Sequence, residues 1–132
     1  MRGLDTNILV RYLMNDDAGQ AQIVDRLLLD CRAQGETLFV PVIVVCEMLW
    51  VLDRVHGQTK SEMIRALEEL LELGIFKFEQ ESVIRDSLDQ YRRGKASFAD
   101  SVIGEISHQA GCRDSVTFDR VLSRAPGYTL LA

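Results

Sequence analysis

Four acidic residues occupy positions where carboxylates can do chemistry: Asp5, Glu47, Asp100 and Asp119. Asp5 and Asp119 each follow a short apolar run and precede a helical pattern, which places them at the ligand-binding edge of a parallel sheet. Glu47 is the only charged residue in the apolar segment Leu38–Leu52. An unpaired charge there costs several kcal/mol, so Glu47 must be paired, protonated, bound to a metal or at the rim of a cleft.

Each carboxylate also has an ordinary structural interpretation. Asp5 and Asp119 are favoured helix caps, and Asp100 lies in the first turn of a predicted helix, where the helix dipole stabilises a negative charge. Glu47 can extend to solvent or pair with an arginine. A functional interpretation therefore depends on the four residues acting together.

All four carboxylates are predicted at the same edge of one sheet. If two of them approach within ~5 Å, they repel by roughly 3 kcal/mol at an effective dielectric constant near 20. Mg²⁺ or Mn²⁺ compensates such a cluster, because these ions prefer hard oxygen ligands. The two histidines, His56 and His108, are too few and too scattered for a zinc hydrolase.

Hydrophobic periodicity predicts the elements that position these residues. Strands are expected through Leu4 and over Thr37–Val40, Ile75–Phe78, Ser115–Phe118 and Tyr128–Leu131. Helices are expected over 8–13, 21–31, 42–55, 63–73, 83–91 and 98–110, with a brief helix over 119–124. Strands alternating with helices favour a parallel α/β sheet covered on both faces. A length of 132 residues fits one domain, residues 1–132.

Composition narrows the function classes. The formal charge is −5, from 15 Lys+Arg and 20 Asp+Glu, which at first sight argues against a nucleic-acid partner. Residues 85–124, however, carry 7 basic and 6 acidic residues, and Arg92, Arg93 and Lys95 directly precede Asp100. These three cations are either a strip that follows phosphate groups or an ordinary solvated helix face.

The cysteines and the apolar segments indicate the expected cellular location of the protein. The three cysteines are far apart and form no CxxC motif, so neither a disulfide framework nor a zinc site is predicted. A reducing cytoplasm is the expected location. No apolar run reaches the roughly 18–20 residues of a spanning helix, so no membrane segment is expected.

Four segments, taken together, resemble a known family. They are L-D-T-N-I-L-V-R-Y-L at 4–13 followed by D-D at 16–17, E-M-L-W-V-L at 47–52, F-A-D-S-V-I at 98–103, and T-F-D-R at 117–120. In order and spacing they resemble a PIN-domain ribonuclease, and are most similar to the VapC-type toxins of type II toxin–antitoxin systems. The resemblance runs from residue 3 to the C-terminus. Gly104 departs from it where alanine is frequent, and Leu122 where phenylalanine is common.

The resemblance implies an α/β fold, namely a PIN-like three-layer α/β/α sandwich around a mainly parallel sheet of four to five strands. It implies a Mg²⁺- or Mn²⁺-dependent endoribonuclease that acts as a toxin, with Asp5, Glu47, Asp100 and Asp119 as catalytic and metal-binding residues. Thr6, Asn7 and Thr117 would support that site. The implied partners are an RNA substrate, a cognate antitoxin and a second copy of the chain.

Three alternatives stay open from the sequence. A phosphoacceptor module of the receiver type also gathers acids and Mg²⁺ at a sheet edge, but it needs a lysine at the last strand, and none follows Lys95. A PIN nuclease that is not a toxin, or a PIN-like domain that only binds partners, would carry the same segments.

Overall fold

Strands and helices alternate along the whole chain, as the sequence predicts, and every strand pairing is parallel. The computed structural model describes Met1–Ala132, which divide into two compact units, Met1–Glu79 and Gln80–Ala132. No helix is both long and apolar enough to cross a membrane.

The first unit contains three strands and four helices. They are β1 (Arg2–Gly3), α1 (Thr6–Met14), α2 (Ala18–Gln34), β2 (Leu38–Val40), α3 (Val42–Arg54), α4 (Lys60–Glu72) and β3 (Phe76–Phe78). The strands form one sheet in the order β1-β2-β3, with Leu38 paired to Arg2 on one side and to Phe76 on the other. Helix α1 packs against α2 and α3, and α3 packs against α4.

Caps written in the sequence set the helix boundaries of this unit. Thr59 and Glu62 form the expected capping box at the start of α4, where each satisfies a backbone N–H of the other. Helix α2 ends at Gly35, whose φ of 68° is the left-handed conformation that glycine adopts without strain. The core is built on side chains with no exposed surface, among them Leu9, Leu38, Met48 and Leu52.

The second unit contains α5 (Glu81–Arg93), α6 (Phe98–Gln109), β4 (Ser115–Thr117), a 3-10 helix (Leu122–Arg124) and β5 (Tyr128–Leu130). Helices α5 and α6 pack against each other, and the rings of Tyr91 and Phe98 meet edge to face with centroids 6.2 Å apart. Strands β4 and β5 pair through Ser115 and Tyr128 and continue to Thr117 and Leu130.

The structure confirms the α/β class and the parallel pairing of the strands. The first unit contains a sheet of three strands and the second unit a sheet of two. The strand expected to include Phe118 ends at Thr117, and the brief helix expected over 119–124 is the 3-10 helix Leu122–Arg124.

Candidate active site

Asp5 follows the first strand and caps the first helix. Leu4 extends the pairing of β1 by donating its N–H to the carbonyl oxygen of Phe39, and Asp5 then leaves the sheet. The Asp5 side chain is exposed, and its Oδ1 accepts a 2.8 Å hydrogen bond from the backbone N–H of Thr6. Thr6 is buried and Asn7 is exposed, so of these two predicted supporting residues only Asn7 is open to solvent.

Glu47 lies on an exposed face of α3. The helix buries one face into the core and exposes Ile43 and Trp50, which lie one turn before and one turn after Glu47. The Glu47 carboxylate is therefore solvated, and it forms no salt bridge. The apolar composition of Leu38–Leu52 conceals this face because two of its members are large apolar residues.

Glu79 is a fifth carboxylate, which sequence reasoning missed. It follows β3, and its Oε1 accepts a 2.8 Å hydrogen bond from the backbone N–H of Val42, the first residue of α3. Pro41 precedes α3 and has no side chain that can accept such a bond, so Glu79 supplies the cap from 37 residues away. The unfilled cap after Pro41 is the only signal that the sequence offers.

Asp100 lies in the first turn of α6 and is partly exposed. The side chain of Ser97 caps this turn by accepting a 3.1 Å hydrogen bond from the N–H of Asp100. The hydroxyl of Tyr128 donates a 2.6 Å hydrogen bond to the carbonyl oxygen of Asp100. Burial, together with the negative charge of Asp100, raises the pKa of Tyr128, so its hydroxyl stays protonated and remains a donor.

Asp119 is held by the backbone around it. Its Oδ1 accepts hydrogen bonds from the N–H groups of Val121, at 2.9 Å, and Leu122, at 3.1 Å. The N–H of Asp119 in turn donates to the hydroxyl oxygen of Thr117 at 3.0 Å. Asp119 therefore holds the turn that leads into the 3-10 helix, and Thr117, a predicted supporting residue, contacts the Asp119 backbone directly.

The four predicted acids divide evenly between the units, with Asp5 and Glu47 in the first and Asp100 and Asp119 in the second. The structure shows no group of three or more His, Cys, Asp or Glu side chains that could hold a metal ion. None of the four is in a salt bridge, so their oxygens are not neutralised by Lys or Arg. As donors they fit a hard cation, because carboxylate oxygens are the ligands that Mg²⁺ and Mn²⁺ prefer.

The three predicted phosphate-binding cations differ in their surroundings. Arg92 forms a 2.8 Å salt bridge with Asp89 on the same face of α5. Arg93 and Lys95 are exposed and have no acidic partner within salt-bridge distance. The structure thus favours Arg93 and Lys95 over Arg92 as cations free to meet an anion.

The chain was compared with known proteins. Residues 4–128 match the family model of the PIN domain and so span both units. A "VapC ribonuclease" of Aquifex aeolicus (strain VF5) is 23% identical over 120 residues, which cover 91% of this chain and 88% of that protein.

Two solved structures are also similar. One is VapC20 of Mycobacterium tuberculosis, described as a toxin that cleaves the sarcin–ricin loop, with 17% identity, 96% coverage of each chain and a TM-score of 0.46. The other is a toxin–antitoxin complex from Klebsiella pneumoniae, with 15% identity, coverage of 98% of this chain and 96% of that chain, and a TM-score of 0.35.

Proposed function

We propose, from the finding that the chain belongs to the PIN-domain family, that it is a divalent-metal-dependent endoribonuclease and the toxin of a toxin–antitoxin pair. The proposal rests on the solvent exposure and the missing salt bridges of four acidic residues, which lie in the segments that resemble the family. Asp5, Glu47, Asp100 and Asp119 are all solvent-accessible, and no cation of the chain neutralises them. Four uncompensated carboxylates suit a site that is completed by a metal ion.

Asp5, Glu47, Asp100 and Asp119 would hold Mg²⁺ or Mn²⁺. When bound, the ion supplies the positive charge that activates a water molecule and stabilises the leaving oxygen of a phosphodiester.

The chain's own part is to orient the ligands before the ion arrives. The N–H of Thr6 fixes one oxygen of Asp5, and the N–H groups of Val121 and Leu122 fix one oxygen of Asp119. In each case a single oxygen accepts these hydrogen bonds, and the second oxygen forms none. Asp100 is fixed through its backbone instead, by Ser97 and Tyr128, so its whole carboxylate is available.

The toxin assignment carries further proposals. The similarity to a VapC ribonuclease supports an RNA substrate. With it we propose a cytoplasmic location and a cognate antitoxin. We also propose a homodimer, which light scattering of the purified protein tests by its mass. Growth arrest on expression, relieved by a small protein encoded next to this gene, would distinguish a toxin from a PIN nuclease with another role.

The test of the proposed function is cleavage of total RNA by the purified protein with Mg²⁺ or Mn²⁺, with and without a chelator. We expect Asp5→Asn, Glu47→Gln, Asp100→Asn and Asp119→Asn each to abolish cleavage and to weaken Mn²⁺ binding measured by calorimetry. Asp86→Asn and Glu72→Gln remove exposed carboxylates of the same two units and serve as matched controls that keep activity. Equal cleavage by wild type and the four variants, or cleavage that a chelator leaves unchanged, would overturn the proposal.

A further inference from the structure

A cavity of about 230 Å³ opens within the second unit, between the loop that precedes α6 and the segment that links the 3-10 helix to β5. Ala96, Val121, Ala125 and Pro126 provide apolar walls. An apolar cavity of about 150 Å³ is enough to bind benzene, so this one has the size for a single heteroaromatic ring system with part of its substituent. It is smaller than the roughly 300–1,000 Å³ of pockets for larger organic ligands.

Two cations line the same cavity. Lys95 and Arg124 are exposed, and neither has an acidic partner within salt-bridge distance. Two unpaired cations beside apolar walls fit a ligand with an anionic group and a flat apolar body. Arginine and lysine are the usual partners of a phosphate, with arginine binding two of its oxygens at once.

The cavity is also tied to both acids of this unit. Ser101, which lines it, is the residue after Asp100, and the N–H of Val121, which also lines it, donates to Asp119. A ligand in the cavity therefore meets one residue that is adjacent in sequence to Asp100 and one that is hydrogen-bonded to Asp119.

We infer that this cavity binds one unstacked nucleotide of a single-stranded RNA, with its base against the apolar walls and its phosphate on Lys95 and Arg124. Proteins that recognise single-stranded RNA hold splayed-out bases in this manner, and such contacts choose the cleaved sequence. The inference rests on the proposed function, since it assigns part of the substrate to this unit. It also gives an acidic protein a place to bind RNA, because the two cations that meet the phosphate have no acidic partner.

The test is a titration of isotope-labelled protein, without metal, followed by NMR. The probes are the four nucleoside 5′-monophosphates, their nucleosides and inorganic phosphate. We expect at least one nucleotide to bind tenfold or more tightly than its nucleoside and than phosphate, with shifts confined to residues 94–101 and 121–126. Lys95→Ala combined with Arg124→Ala should weaken nucleotide binding at least fivefold and leave nucleoside binding unchanged.

Val121→Trp should fill the cavity and remove both nucleotide and nucleoside binding. Val121 is half-exposed, so the larger side chain does not disturb the core. Val116→Trp, at an exposed apolar position of β4 outside the cavity, and Arg113→Ala, at an unpaired arginine outside it, are the matched controls that bind normally.

The inference fails if phosphate binds as tightly as the nucleotides, if no nucleotide binds, if shifts map elsewhere, or if Val121→Trp binds like wild type. The readout separates it from the proposed function. Nucleotide binding by a protein that cleaves no RNA contradicts only the nuclease, and RNA cleavage by a protein whose cavity binds no nucleotide contradicts only this inference.

Discussion

The hydroxyl of Tyr128 donates a 2.6 Å hydrogen bond to the backbone carbonyl oxygen of Asp100. The two residues are 28 positions apart, and the bond connects β5 to the first turn of α6. The position of the Asp100 backbone therefore depends on β5 as well as on its own helix.

Removing this bond tests its contribution. We expect Tyr128→Phe to lower the free energy of unfolding by about 1 kcal/mol, because a typical buried or partly buried hydrogen bond contributes about that much. Urea unfolding measures the change. Tyr12→Phe is the matched control, since the Tyr12 hydroxyl forms no hydrogen bond and its ring packs edge to face on Phe76, 6.3 Å away, in either variant. Equal losses in the two variants would contradict a specific role for Tyr128.

Gly104 and Tyr128 are coupled by close contact. A Cβ added at Gly104 would lie 3.0 Å from Cε2 of Tyr128, so the ring must move by a few tenths of an ångström to admit alanine. In a helix, alanine is favoured over glycine by about 1 kcal/mol. We expect Gly104→Ala to stabilise the Tyr128→Ala variant by about that amount and to stabilise wild type by at least ~0.5 kcal/mol less. Additive effects in the double-mutant cycle would contradict this coupling, because they would show that the Tyr128 ring moves aside for alanine without any cost in unfolding free energy.

Two helix caps, Ser97 and Thr59, allow an effect on stability to be distinguished from an effect on activity. Ser97→Ala and Thr59→Ala each remove a side-chain oxygen that accepts a hydrogen bond from the third residue of a helix. Each should cost about 1 kcal/mol of unfolding free energy. Only Ser97→Ala should also reduce RNA cleavage, because it loosens the turn that carries Asp100, whereas α4 carries none of the proposed ligands. Equal cleavage by both variants at a temperature where both are folded would contradict this role of Ser97.

Tyr12 makes the free energy of unfolding decrease with pH in the alkaline range. Burial, and next the negative charge of Glu69, raise the pKa of Tyr12 above its ordinary value of 10.0. The folded state thus favours the neutral phenol, and this contribution is complete below pH 10 and is lost as pH rises through the folded-state pKa. We expect the unfolding free energy to fall less steeply above pH 10 in Tyr12→Phe than in wild type. Glu69→Gln should lower the pKa of Tyr12 in a tyrosinate absorbance titration, and an unchanged pKa would refute the assignment.

The elements were predictable because their signals are local. The capping box of Thr59 and Glu62, the glycine after α2 and the proline before α3 are each written within a few residues, so the boundaries of these helices follow from the sequence. The positions of Asp5 and Asp119 after strands are confirmed for the same reason. That the four acids bind one metal stays a prediction, since it depends on how distant segments meet.

What the sequence could not reveal are contacts across long separations. Glu79 and Val42, or Tyr128 and Asp100, look unremarkable in their own neighbourhoods, and only the fold pairs them. The sequence concealed the exposed face of α3 for a different reason. Ile43, Glu47 and Trp50 recur at helical spacing, but the apolar residues on either side of Glu47 made that face look like core.

The cap that Glu79 places on α3 ties the start of this helix to the end of β3. The first turn itself is closed locally, since the N–H groups of Val44 and Val45 donate to the carbonyl oxygen of Pro41, whereas the N–H of Val42 depends on an acceptor 37 positions away. The helix that presents Glu47 is thus fastened to the three-stranded sheet at its first residue, so losing the Glu79 carboxylate leaves the Val42 N–H without its protein acceptor.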